Sequence, residues 1–225
     1  MRKIAITILI FLGSFSMASA ELGVNIGISG QMGVFHATGL DKDTNTVGTE
    51  TQKDDATGVI GYTSFFIEKT LGQYLTVGYD YSADKLSSET ANNNRCNDES
   101  SASQIKLDGH CQAIVTNTVQ IDFKDMTQMY VAINITPSIY VKTGITSMEV
   151  ITNEVLGTGA TYKNFTLDGT VMAVGFNKTF DNSMFVRAEG SYNEYDNHSA
   201  TSGDHKISMN NFEGVSGKLS IGKSF

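Results

Sequence analysis

The feature that most constrains this chain is the spacing of its apolar residues, which follows a period of two along much of its length. In "LGVNIGISGQMGVF", Leu22, Val24, Ile26, Ile28, Met32 and Val34 share one parity, while Gly23, Asn25, Gly27, Ser29 and Gln31 share the other. "QYLTVGYDY" opposes Leu75, Val77, Tyr79 and Tyr81 to Tyr74, Thr76, Gly78 and Asp80. "TNTVQIDFKDMTQMYVAINIT" opposes Val119, Ile121, Phe123, Met129, Val131, Ile133 and Ile135 to Thr118, Gln120, Asp122, Lys124, Gln128 and Asn134. Side chains of a strand alternate between the two faces of its sheet, so each segment reads as a strand with one apolar and one polar face. The third is a single long strand unless its "KDMT" patch breaks it. No stretch holds a helical period over a useful length, and the expected class is all-β.

A unit recurs. "QYLTVGYDYSAD", "SIYVKTGITSMEV" and "SMFVRAEGSYNEY" each follow a tight connection and run into a polar stretch. Short connections fall at 70–72, 136–138 and 180–183, and the only proline, Pro137, occupies one of them, where its missing N–H costs nothing. Long polar connections are expected over about 37–57, 83–112, 151–164 and 196–205. The strands so delimited are 22–36, 58–69, 73–82, 113–135, 139–150, 166–179, 184–195 and 206–225. An even count with both termini on one side lets the first and last strands close a ring. Short turns on one side and long loops on the other are the pattern of a barrel threaded through an outer membrane. The expected fold is therefore an eight-stranded antiparallel transmembrane β-barrel, with short periplasmic turns, long extracellular loops and its longest strands projecting above the membrane. Parity is ambiguous in 58–69 and 168–179, where a slip of one residue would exchange lumen and lipid faces.

The first residues, "MRKIAITILIFLGSFSMASA", set Arg2 and Lys3 before an apolar run and end on Ala18-Ser19-Ala20, a signal peptide cleaved between Ala20 and Glu21. The expected domains are 1–20, the signal peptide, and 21–225, one barrel. Cleavage removes two positive charges and takes the net charge from −8 to −10. That acidity, without basic clusters, argues against a nucleic-acid partner. In an oxidising compartment, Cys96 and Cys111 most simply form a disulfide closing a polar loop; the metal alternative would recruit His110.

Together the signal peptide, the eight strands and the terminal "LSIGKSF" resemble the small outer-membrane β-barrel proteins of Gram-negative bacteria, the porin-like or opacity-type family. The resemblance implies that the last strand carries the insertion signal read by the barrel-assembly machinery, here Leu219, Ile221 and Phe225, with Lys223 departing from the apolar register. It also implies the cell outer membrane as location and membrane lipid as surroundings; a monomer is expected.

On the polar face, Glu68, Tyr140, Lys142, Arg187, Glu189 and Lys218 fall near the short turns. An eight-stranded barrel is just wide enough for side chains to fill, and buried charges must pair, so these six are expected to form a salt-bridged plug. The expected function is non-enzymatic, envelope-structural or surface-interacting, with no cofactor. The alternatives are a narrow porin-like channel for small solutes and a secreted soluble β-barrel or sandwich with its apolar face inward. His36, His110, His198 and His205 lie at strand ends or in loops, where composition alone collects serine and aspartate beside them, and no catalytic residue is assigned. Asp41, Asp43 and Asn45 alternate as in a calcium loop but lack its glycine and distal glutamate, and no metal ligand is assigned.

Overall fold

A computed structural model describes residues 23–45, 48–96, 114–156, 161–203 and 205–225. The signal peptide, the Ala20/Glu21 cleavage site, His110 and Cys111 lie outside the described residues. Eleven strands run β1 (Val24–Asn45), β2 (Gly48–Leu71), β3 (Leu75–Ser82), β4 (Leu86–Ser87), β5 (Ala91–Cys96), β6 (Ile114–Asn134), β7 (Ile139–Val155), β8 (Phe165–Thr179), β9 (Met184–Tyr195), β10 (His198–Ser202) and β11 (His205–Ser224). Eight form a ring in the order β1-β2-β3-β6-β7-β8-β9-β11, and β11 pairs antiparallel with β1 to close it. The three short strands extend the wall: β4 and β5 continue β3 along β6, and β10 continues β9 along β11.

The tight turns gather at one end with the start of β1 and the end of β11. Gly72 turns β2 into β3 at φ 68°, and Ser183 turns β8 into β9 at φ 64°. The last residues close the ring there, with the Phe225 amide donating to the Val24 carbonyl at 2.8 Å.

The apolar parity faces outward. Ile28, Met32, Val59, Met172 and Leu219 are each 63–69% exposed, whereas their neighbours Ser29, Gln31, Val171 and Lys218 are buried. Both ambiguous strands resolve in the same sense: Ser64, Phe66 and Glu68 of β2, and Leu167 and Val171 of β8, point inward. The outward arrangement excludes the secreted soluble barrel, whose apolar face would line its core. On five strands, and just past the end of β3, the apolar band ends at an outward-facing carboxylate: Asp125, Glu149, Asp168, Glu194 or Glu213 on the strands and Asp84 after β3. Each lies 9–11 residues from the tight-turn end of its chain segment, the length that spans a membrane at the usual tilt.

Two expectations are corrected. The first concerns the long polar loops. Most of 37–57 is a hairpin that stays paired from Ala37↔Ala56 out to Asn45↔Gly48. β4 and β5 occupy part of 83–112, β7 runs on to Val155 within 151–164, and β10 lies in 196–205. Polarity suggested loops, but a sheet standing above the membrane is wetted on both faces and needs no apolar parity. Cross-strand polar pairs hold it instead, as where the Thr38 hydroxyl donates to Asp55 Oδ1 at 2.7 Å.

The second correction is the parity of β6. At Asp125 (φ 51°) the pairing with β7 jumps from Lys124↔Glu149 to Thr127↔Ser147, a bulge within the "KDMT" patch. One extra residue reverses the faces, so Ile121 and Phe123, read from sequence as outward, pack inward against the core. β11 shifts likewise at Asn211 (φ 52°), opposite the interval between His36 and Thr38, and Met209 above it joins the same core.

Candidate functional site: a charged lumen beneath an apolar cap

Inside the ring, chemistry changes along the axis. Nearest the tight turns, Glu68 of β2 meets Arg187 of β9 across the lumen in a bidentate pair, with Arg187 Nη1 to Glu68 Oε1 at 2.5 Å and Nη2 to Oε2 at 2.8 Å. The Tyr130 hydroxyl donates to Oε1 at 2.6 Å and the Asn25 amide to Oε2 at 3.1 Å. The guanidinium packs 4.4 Å from the Phe185 ring centroid. A fork of this kind gives the buried carboxylate charge-assisted bonds on both oxygens.

The next layer joins Glu189 of β9 to two residues of β7. Lys142 donates to its Oε1 in a short contact, and the Tyr140 hydroxyl to its Oε2 at 2.9 Å. Lys142 also reaches the Gln128 carbonyl oxygen at 3.1 Å. Lys218 of β11 pairs by a short contact with Asp80 of β3, across the ring. Three cations thus meet three carboxylates. Glycines opposite the large rings make room for them: a Cβ on Gly78 would sit 2.4 Å from the Tyr130 ring, and one on Gly175 only 2.2 Å from that of Tyr140.

All six residues singled out on the polar face therefore point into the lumen. Five of them fall into two groups, Glu68 with Arg187 and Glu189 with Lys142 and Tyr140, while Lys218 bonds to neither. Sequence reasoning missed Asp80, Tyr130, Asn25 and Gln128 as their partners. The signal was present, since each stands on the polar parity of its strand, but which polar residues meet depends on how the ring closes.

Above the charges lies a neutral polar layer in which Ser29 bonds Ser64 at 2.7 Å, and Gln31 and Asn193 donate to the Ser216 hydroxyl at 3.0 and 3.1 Å. Beyond it Phe35, Met126, Met148, Val150, Leu167, Tyr195 and Phe212 form an apolar cluster across the far mouth. Phe212 sits at its centre, 4.8 Å from Tyr195, 5.7 Å from Phe35 and 6.1 Å from Phe123, ring centroid to centroid. The void within this cap is about 10 Å³, at the lower limit for one water. Below it a cavity of about 630 Å³, lined by Glu68, Thr76, Asn134, Arg187 and Ser224 among others, opens at the tight-turn end.

Outside the membrane span, Lys85 reaches buried Asp122 of β6 at 2.8 Å, and the Asn153 amide donates to it at 2.6 Å. Hydrogen bonds from Lys85, Ser87 and Asn153 hold the Asp122 carboxyl at about 2, against burial, which pushes it up. Among the histidines, His36 bonds the Thr57 hydroxyl at 3.2 Å, and the His198 ring stacks on Phe165 with centroids 3.5 Å apart; His205 begins β11. Asp41, Asp43 and Asn45 lie in β1 rather than in a loop, and among the described residues no three histidine, cysteine or carboxylate side chains gather as a metal would need. Cys96 ends β5, and its expected partner Cys111 lies outside the described residues. Leu219 and Ile221 stand on the outward face of β11, and Phe225, also exposed, follows its last residue.

A closed antiparallel ring with a polar, charge-paired interior and an apolar outer band defines a transmembrane β-barrel of the outer-membrane type. No family model and no curated protein matches the sequence. Among solved structures the chain is similar to the outer-membrane protease OmpT from Escherichia coli (11% identity, 95% of this chain and 100% of that one, TM-score 0.44). It is also similar to the outer-membrane protein AlkL (14%, 94% of each chain, 0.46) and to Ail, the attachment invasion locus protein of Yersinia pestis (10%, 87% and 97%, 0.32). The assignment to the class rests on the chain's own geometry.

Proposed function

We propose that this protein is a non-enzymatic envelope component, sealed to solutes, that serves the outer membrane structurally or presents its outer sheet to extracellular ligands. The observation that carries the reading is the vertical order of the lumen: paired charges, then neutral polar groups, then a cap with no room for a water column. A hydrated ion entering from the tight-turn end meets an apolar barrier at the far mouth. The alternative, a narrow channel, draws on the 630 Å³ cavity, which reaches only as far as the cap lets it. In this reading residues 1–20 are removed after Ala20, Cys96 and Cys111 form a disulfide closing a polar loop, and the assembly machinery reads Leu219, Ile221 and Phe225. Swelling of proteoliposomes in a small sugar tests it. Swelling at the rate of protein-free vesicles is expected, and a faster rate that grows with protein content would favour the channel.

A further inference from the structure

We propose that the tight-turn rim carries an arc of lysines, Lys178, Lys223 and Lys69, that binds anionic phospholipid headgroups of the periplasmic leaflet. The inference rests on the reading of this end as periplasmic. Each lysine has the outward parity of its strand and stands within a few residues of the strand's end, in β8, β11 and β2 respectively. Their cross-strand neighbours are lipid-facing: Val186 beside Lys178, Met184 and Ile26 beside Lys223, Val24 and Val77 beside Lys69. A lysine so placed lays its stem along the apolar wall and sends its ammonium to the headgroup plane. The Lys223 ammonium is held there 5.4 Å from the Phe225 ring centroid.

The three are not spread around the ring. They occupy alternate strands of the contiguous run β8-β9-β11-β1-β2. Neighbouring strands are about 4.8 Å apart, which puts successive lysines about 10 Å from one another across the wall. On the other side of the barrel, the outward-facing residues nearest the tight-turn ends of β3, β6 and β7 are Leu75, Ile133 and Ile139. Among the described residues the turns at this end add the carboxylate of Asp181, which lies in the water-facing β8–β9 turn. The opposite rim is ringed by carboxylates, from Asp84 round to Glu213. The lipid-facing surface is therefore polarised: carboxylates predominate at the outer rim, where the Lys124 ammonium is paired with Glu149 at 3.3 Å, and lysines predominate at the tight-turn rim. A zwitterionic headgroup brings its own cation; a phosphate with net negative charge is the better complement to clustered ammonium groups.

The test is lipid retention. The full-length protein is reconstituted in vesicles of phosphatidylethanolamine with one-fifth phosphatidylglycerol, extracted in mild detergent, and its retained lipid counted by native mass spectrometry. Phosphatidylglycerol should be enriched roughly five-fold over the bulk ratio. Lys178→Gln with Lys223→Gln should return the ratio towards bulk, Lys178→Arg with Lys223→Arg should keep it, and Glu149→Gln with Glu194→Gln at the other rim should leave it unchanged. Bulk composition around the wild type, or full enrichment around the double glutamine variant, overturns the proposal. Heat-modifiable gel migration of every sample reports barrel insertion separately; a wild type that never inserts would fail the membrane reading instead. If the double variant does not insert, the single Lys178→Gln substitution decides, by partial loss of enrichment or by none.

Discussion

Glu68 is the residue on which the lumen most depends. Its carboxylate is 2% exposed and accepts from Arg187, Tyr130 and Asn25 at once. Glu68→Ala leaves the guanidinium buried without its counter-charge, and should cost about 3–5 kcal/mol in urea unfolding from lipid vesicles. Replacing both partners with methionine should cost less than Glu68→Ala alone, because the charge leaves with its pair. Asp122 makes the opposite kind of prediction, one about pH. Its folded-state value of about 2 lies below the ordinary carboxylate value near 4, so the stability it contributes is present above pH 4 and is lost as pH falls through 2. Amide exchange in the outer part of β6 and β7 should accelerate over that window, and Asp122→Asn should remove the pH dependence while leaving the membrane-spanning strands protected.

Strands are the scale at which the sequence was most legible. The pleat writes burial into alternate positions, so the outward face of β1, from Ile26 to Val34, could be read directly. The reversal in β6 could not be placed, because nothing in "KDMT" obliges Asp125 to take a positive φ; the bulge follows from fitting Phe123 into the cap while Val131 and Ile133 still face lipid. Asp125→Gly should be neutral or stabilising by up to about 1 kcal/mol, and Asp125→Val destabilising by more than that, both read by urea unfolding. The outer hairpins were misread for a related reason: composition separates apolar from polar faces, but a sheet wetted on both sides has no such contrast. At the end of β11, the position of Phe225 on the lipid-facing side predicts slower assembly when it is deleted, measured as the fraction of heat-modifiable protein formed in pulse-chase experiments. Assembly at the wild-type rate would leave the aromatic ending without a role.

For the whole molecule, closure of the ring decides what the lumen can do. Six of its charged or phenolic groups were visible on the polar parity, but their partners were not. Lys218 meets Asp80 because β11 and β3 face each other across the interior, a relation that strand order alone does not encode. Closure also carries Phe35, Leu167, Tyr195 and Phe212, from four separate strands, into one cap. Without that cap the polar layers below would be an open, charged tube; with it, the barrel as proposed is a closed wall with a polar recess open at the tight-turn end. Single-channel recording in planar lipid bilayers tests this most directly. Purified, heat-modifiable wild-type protein should insert without producing current steps at neutral pH and moderate voltage. Steady, reproducible unitary conductance that scales with the amount of inserted protein would contradict the account.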